Sequence, residues 1–338
     1  MGKKIKLYYF IFILLFSTGI LFSDSKFLNL HHRIKIDESK ETIRSVGQSL
    51  FDDKGCFYLL SMDALRKYDQ NGKFIDTLIR HGNGPNEFMM PTSMNFSNDK
   101  SNLIIYDVEK MKIIFFDTNG KNPKYFDSPK NRTAGIIVSP IEGYYIQVLG
   151  EKDDCLLYKI DKDFKIQKCF YTDLKNLEEY YPITPNFNCV VDSKGNIYIS
   201  DYFVYKIFKY DRMGKLLKTF GEPGKDIKTL EGKPPKRDEG KKFWQFFSKA
   251  SFIAPLLLIE DTYLFVFYNN ERKDTIPMMY DIYFLDGKKI AHGSLPVGMH
   301  PCGKDNLGRL VCSMPEISED GMDAANWLYV YTVNIEKK

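Results

Sequence analysis

The sequence predicts an all-β fold: a six-bladed β-propeller of four-stranded antiparallel blades, closed by an N-terminal strand. Three observations predict it. Residues 189–221, CVVDSKGNIYISDYFVYKIFKYDRMGKLLKTFG, spell four short strands joined by tight turns. Weaker copies of that unit recur along the chain. The last copy ends one strand short, and the start of the chain contains a segment that can complete it.

Within the reference unit, residues 189–192 form a short apolar strand and 193–195 a turn. Residues 196–200 alternate Ile and Tyr, as a second strand with high β propensity does. Residues 206–210 make the third strand. Asp211-Arg212-Met213-Gly214 then supplies turn chemistry, since Asp can bond its own backbone and Gly tolerates positive φ, and residues 215–220 make the fourth. One such unit cannot bury both faces of its sheet, so it requires neighbours of the same design.

Unit one carries strands at 56–61 and 65–68 with a turn at 69–72. Unit two has strands at 102–106 and 111–116 with a turn at 117–120. Unit three has 143–148, 155–160 and a turn at 161–163. Unit five has 261–268, 280–285 and Asp286-Gly287, and unit six has 305–311 and 327–333. The turn residues Asp69, Asp117, Asp161 and Asp211 are 48, 44 and 50 residues apart, a period that suits four strands and four turns. The step from Asp211 to the matching Leu285 is 74 residues. One blade takes roughly 45 to 50, so an insertion is expected at about 225–250. Residues 27–36 supply the missing outer strand, and closure of the ring removes exposed sheet edges.

The period argues for one ring domain over residues 26–338. Residues 1–25 stand apart. Lys3, Lys4 and Lys6 precede an apolar run at 7–22, and Ser23-Asp24-Ser25 follows, which reads as an export signal. An uncleaved N-terminal anchor is the other reading, although the run is shorter than the ~20 residues that cross a bilayer. The protein is therefore expected to be exported, whether periplasmic, at the cell surface or secreted, and monomeric.

The net charge of +4 falls to about +2 without residues 1–25, which hold three lysines and one aspartate. Such a balance lacks the basic footprint that phosphate-backbone binding requires, so nucleic acid is not an expected partner. Six cysteines in an exported chain are compatible with disulfides. Cys155 with Cys169 and Cys302 with Cys312 each flank a hairpin turn and are the two expected pairs, the alternative being buried thiols. Cys56 and Cys189 are expected to be free. No zinc-type spacing of Cys and His is present.

Residues 190–221 resemble an NHL-type repeat at Asp192, Gly195, Asn196, Tyr198, Asp201, Ile207, Gly214, Phe220 and Gly221. Gly82-Asn83-Gly84-Pro85-Asn86-Glu87-Phe88 with Pro91 resembles the G-x-G-P-x-E-F-x-x-P loop of exported bacterial six-bladed propellers of the NHL-like (TolB-like) group. The resemblance implies architecture more firmly than function. It also implies a working face: loops joining the second and third strands, and those joining blades, open together around a central channel. On that face the sequence places Arg80, His81, Glu87, Asp107, Asp201, Tyr202 and Arg272 as candidate ligand contacts. The insertion falls there too. Its part at 225–242 holds Pro234-Pro235 and an excess of basic residues, and Phe243-Trp244-Gln245-Phe246-Phe247 follows, with Trp244 as a further contact. The aromatics either dock a partner or tuck a short helix against the ring.

No catalytic constellation appears. The five histidines do not recur at equivalent blade positions, and no G-x-S-x-G elbow, P-loop, H-E-x-x-H or dinucleotide fingerprint is present. Six-bladed propellers also include calcium-dependent lactonases, and likeness to that class implies Glu87, Asn95, Asn186, Asn188 and Asp201 as oxygen ligands, although Asp107 and Asp201 also suit the fixing of adjoining turns. Two functions remain: a non-enzymatic propeller with no cofactor, binding a protein, peptide or glycan across its channel face, or a calcium-dependent hydrolase or lyase acting on a small molecule in the channel.

Overall fold

Aspartates in the tight turns set the chain's rhythm. Asp52, Asp69, Asp117, Asp161, Asp192, Asp211 and Asp305 each accept hydrogen bonds from the main-chain N–H groups two and four residues ahead. A short carboxylate thus supplies the acceptor for N–H groups that no strand partner takes, and reverses the chain. The computed structural model describes residues 26–335, apart from 132, 142, 149–154, 156, 172–186, 202–204, 223, 225–226, 229–234, 236–238, 271–275 and 318–323.

Between these turns the strands form six antiparallel blades. From the axis outward, blade 1 is β2 (Gln48–Phe51), β3 (Phe57–Leu60), β4 (Ala64–Tyr68) and β5 (Phe74–His81), with the two-residue β6 (Glu87–Phe88) added parallel to β5. Blade 2 is β7 (Pro91–Phe96), β8 (Asn102–Asp107), β9 (Lys112–Asp117) and β10 (Lys124–Asp127). Blade 3 is β11 (Thr133–Val138), β12 (Tyr144–Val148), β13 (Leu157–Ile160) and β14 (Ile166–Tyr171). Blade 4, the reference unit of the sequence, is β15 (Phe187–Val191), β16 (Ile197–Asp201), β17 (Ile207–Tyr210) and β18 (Leu216–Phe220). The helix α1 (Lys241–Phe247) follows within the insertion. Blade 5 is β19 (Phe252–Ile259), β20 (Tyr263–Asn269), β21 (Met279–Phe284) and β22 (Lys289–Ser294).

Blade 6 is β23 (His300–Lys304), β24 (Leu310–Ile317), β25 (Ala324–Val333) and, outermost, β1 (Leu28–Lys35), paired antiparallel from Leu28↔Val333 to Lys35↔Trp327. The expected closing strand is therefore present. The two ends of the ring also meet at the axis, where β2 pairs parallel to β23 through Ser49↔Gly303 and Leu50↔Lys304. Gly303 permits this approach, because a Cβ there would lie 2.4 Å from the Ser49 carbonyl oxygen.

The core lies between blades. Tyr58, Tyr106, Tyr145, Tyr198 and Tyr268, one on the second strand of each of blades 1 to 5, are fully buried, each worth on the order of 1.5 to 3 kcal/mol of apolar burial. Two of them also tie a blade to its successor. Tyr58 Oη donates to the Thr118 carbonyl at 3.3 Å, and Tyr198 Oη to the Leu285 carbonyl at 3.3 Å, each in the next blade's outer turn.

One cysteine pairing is corrected. Cys155 and Cys169 are bridged, with Cα atoms 6.0 Å apart, but Cys302 and Cys312 are free and buried. A bulge between Pro301 and Gly303 puts Cys302 out of step with β24. Cys302 packs between blades 6 and 1 with Phe57, whereas Cys312 packs between blades 5 and 6 with Phe265. The two thiols lie on opposite faces of one sheet. Cys56 and Cys189 are free, as expected.

Candidate functional site

A channel of about 960 Å³ runs along the axis, bordered by the inner strands of all six blades. The inner edge of each blade would leave main-chain groups without a strand partner. Side chains from the neighbouring blade meet several of them. The Gln48 amide clamps Met94, donating to its carbonyl at 2.7 Å and accepting from its N–H at 2.8 Å. Ser93 Oγ accepts from Ile136 N–H at 3.1 Å, Asn95 Nδ2 donates to the Ile136 carbonyl at 2.9 Å, and Thr92 Oγ1 donates to the Ala134 carbonyl at 2.6 Å. The lining is mixed: Leu50 and Phe96 border the channel beside these polar groups, and Asn188, Ser193 and Asp261 border it beside Val138, Val190, Pro255 and Leu257.

The antiparallel order places the turns between second and third strands on the same face as the blade-joining segments, here called the upper face, with the aspartate turns on the lower face. At blade 1 the upper face carries a charge network. Arg66, buried at 3% exposure, donates from Nε to Glu41 at 3.0 Å and from Nη2 to Asp63 at 2.6 Å, and from Nη1 to Ser61 Oγ at 3.0 Å. Arg80 at the end of β5 is exposed and pairs with the same Glu41. Partial burial works against charge on Asp63, yet Arg66 and the Ser61 hydroxyl hold its carboxyl down at about 2. His81 is exposed at the strand's end, and its N–H donates to the Asp63 carbonyl at 2.8 Å.

The other candidates divide. Glu87 accepts from Gly84 N–H at 2.6 Å and packs against Gly82 and Gly84, where an added Cβ would come within 2.1 and 2.8 Å of its carboxylate. Lys110 holds the same loop through the carbonyls of Gly84 and Glu87, at 3.2 and 2.7 Å. Asp107 is fully buried and accepts from the N–H groups of Met89, Met90 and Lys110. Both carboxylates therefore shape the marker loop, which explains why the motif needs its glycines and glutamate. Asp201 ends β16, its Cα paired with that of Phe187. Its side chain, that of Trp244 on α1, and residues Tyr202 and Arg272 lie outside the described residues. The insertion does contain the expected short helix, and Lys228 and Ser251 tie its ends together through Lys228 N–H to Ser251 Oγ and Ser251 N–H to the Lys228 carbonyl, both 2.8 Å.

Of the oxygen ligands that would hold calcium, Asn95 and Asn188 border the channel, each with its amide donated to the next blade, at 2.9 Å to Ile136 and 3.4 Å to Ile253. Glu87 sits instead at blade 1's outer edge, and Asn186 lies outside the described residues. Among the described residues no three His, Cys, Asp or Glu side chains gather closely enough to hold a metal ion.

Sequence reading missed one cluster. Asp281, fully buried on β21, accepts from Lys289 Nζ at 2.7 Å and from the Tyr205 hydroxyl, and pairs with His292 Nδ1 at 2.8 Å. Tyr283 Oη lies 3.3 Å from Tyr205 Oη, and Tyr268 Oη lies 3.3 Å from His292 Nδ1. Burial and then the Asp281 charge push the Tyr205 phenol far above its ordinary range, so it stays a donor. The cluster joins blades 4 and 5, and Ile227 of the insertion packs against the hydrophobic cluster that holds Tyr205, Tyr268 and Tyr283. Its signal in the sequence is the aspartate inside the strand Met279-Tyr280-Asp281-Ile282-Tyr283-Phe284.

The same architecture occurs in solved structures. A protein of Bacteroides fragilis NCTC 9343 described as exported superposes with a TM-score of 0.66 at 14% identity, over 92% of this chain and 96% of its own. A member of the DUF4221 family from Bacteroides vulgatus ATCC 8482 does so with 0.67 at 11% identity, over 91% and 98%. Regucalcin, a calcium-binding protein from Agrobacterium tumefaciens C58, matches with 0.52 at 14% identity, over 89% and 95%. At these identities the likeness is one of fold. No curated protein matches the sequence. Residues 35–290 match the family model DUF5128, described as a 6-bladed beta-propeller, and the chain belongs to that family.

Proposed function

We propose that the protein is an exported, non-enzymatic propeller that binds a protein segment, peptide or glycan at its channel face. The observation that carries this reading is the channel itself. Its volume falls in the range of ligand sites, and a mostly apolar lining with a few placed polar groups is the usual make-up of such sites. The lysines and apolar run of residues 1–22 support export, as does the likeness to a Bacteroides protein described as exported. The insertion, which packs against blades 4 and 5 through Ile227, is taken as a second contact surface.

Thr92 is exposed and borders the channel, so Thr92→Trp fills the channel, and Thr92→Val, which loses the same hydrogen bond to the Ala134 carbonyl without adding bulk, is its control. Screened on glycan and peptide arrays, the wild-type chain should retain ligands that Thr92→Trp loses and Thr92→Val keeps. An absence of array ligands, or ligands indifferent to both Thr92→Trp and deletion of residues 225–247, would overturn the reading. Stoichiometric calcium that raises the unfolding temperature, with turnover of an ester or lactone panel, would replace it by the enzymatic one.

A further inference from the structure

Lys304 ends the inner strand of blade 6 and borders the channel at its lower end. Its ammonium reaches across to blade 5, donating to the Leu258 carbonyl at 3.4 Å, and no carboxylate lies in ion-pair contact with it among the described residues. An ammonium carries three donors, so this one long contact leaves capacity for a ligand. The charged groups around it are already committed. Asp261 of blade 5 accepts from Ser193 N–H at 3.2 Å and from the Ser193 hydroxyl, and Lys100 of blade 2 pairs with Asp53 on the outside.

Lys100, Glu260 and Asp261 take left-handed φ, at 56°, 53° and 46°, in the tight turns that follow the inner strands of blades 2 and 5 and frame this mouth. Lys304 is exposed to the channel. The strand edges beside it keep part of the water from its ammonium and push it below the ordinary lysine range; the Asp261 charge opposes the shift and the Lys100 charge adds to it.

We propose that the lower end of the channel is an oxyanion site, in which Lys304 takes a carboxylate or phosphate group of the ligand. This rests on the channel-binding reading above and narrows its ligand to one with an anionic end, such as a peptide carboxy terminus, an acidic sugar or a phosphorylated group. Lysine suits the task as a compact point charge whose donors rotate to meet either oxyanion.

NMR of isotope-labelled lysine side chains in the full chain tests the site, with Lys304 assigned from Lys304→Arg. Lys304 should titrate below the other lysines. Succinate, as the carboxylate probe, or inorganic phosphate should raise its midpoint, and the response of one probe alone tells which oxyanion the site prefers. A rise of one pH unit lowers the free-amine fraction, and hence the rate of Lys304 acetylation, about tenfold. Lys304→Met should abolish any saturable binding of the effective probe. A Lys304 that titrates with the surface lysines and ignores both probes would overturn the site, while array ligands sensitive to Thr92→Trp would leave the channel-binding reading standing. Anion-dependent shifts without any array ligand would have the reverse meaning.

Discussion

At the scale of single residues, the carboxylates of this chain do two kinds of work that spacing alone does not separate. Those in turns hold main-chain N–H groups, as Asp117 does for Lys121 and Asn119, and these donors lower its pKa. Asp63 instead serves as counter-ion to the buried Arg66. Because its folded pKa of about 2 lies below the ordinary aspartate value of 3.8, its contribution is complete above that ordinary value and is lost as pH falls toward 2. Asp63→Asn should therefore unfold at lower urea than wild type near neutral pH, by about 1 kcal/mol given its half-exposed position. The gap should close once both states are protonated; a gap that persists in acid would show that the loss is one of packing. Cysteines follow the same residue-level logic. With Cys302 and Cys312 on opposite sheet faces, thiol counting on the denatured, unreduced chain should find four thiols, and a count of two would restore the second bridge. In the native state burial pushes the Cys302 thiol up to about 12, which leaves almost no thiolate to react.

At the scale of the element, blades are locked to their neighbours by polar groups as well as by aromatic packing. Blade 1 grips blade 2 through Gln48, and blade 4 grips blade 5 through Tyr205 and Asp281. The second contact is the more demanding, since Asp281 has no exposure and its charge is compensated by Lys289. Asp281→Asn should cost about 1 to 3 kcal/mol, the usual range when a buried hydrogen-bonded group loses a partner's fit. Urea unfolding measures it, and Lys289→Met should shift the midpoint in the same direction. An unchanged midpoint in both variants would mean that the cluster is not what joins these blades. Blade boundaries were legible because turn aspartates and glycines are local signals. Blades 1, 2 and 4 show them clearly in the sequence, and in blade 6 the turn expected at Asp305 to Gly308 is present, with β24 starting at Leu310 just beyond it.

At the scale of the whole molecule, closure is the decisive event. The N-terminal β1 pairs with β25, Leu28 and Ile34 of that strand and Ile36 just beyond it are buried, and β2 touches β23 at the axis. A chain that begins at residue 37 would lose those three apolar contacts, each worth on the order of 1.5 to 3 kcal/mol, and would leave β25 as an open edge. Its unfolding midpoint should fall by about 5 kcal/mol or more, with concentration-dependent association through the exposed strand. A monomer of wild-type stability would show that the ring does not depend on the N-terminal strand.

What the sequence determined by itself was the repeat: four strands per unit, six units, an N-terminal strand to finish the ring and an insertion after blade 4. These depend on local turn chemistry, strand propensity and a period, all of which are written in neighbouring residues. Tertiary structure decided which polar residues serve the fold and which remain for a ligand. Glu87 and Asp107 matched a motif but are committed to their own loop, whereas Lys304, unremarkable in sequence, stands in the channel with one long hydrogen bond. The reason is physical: a channel is built from six strands far apart in the chain, so the solvation and charge partners of any one residue there are set by residues from other blades.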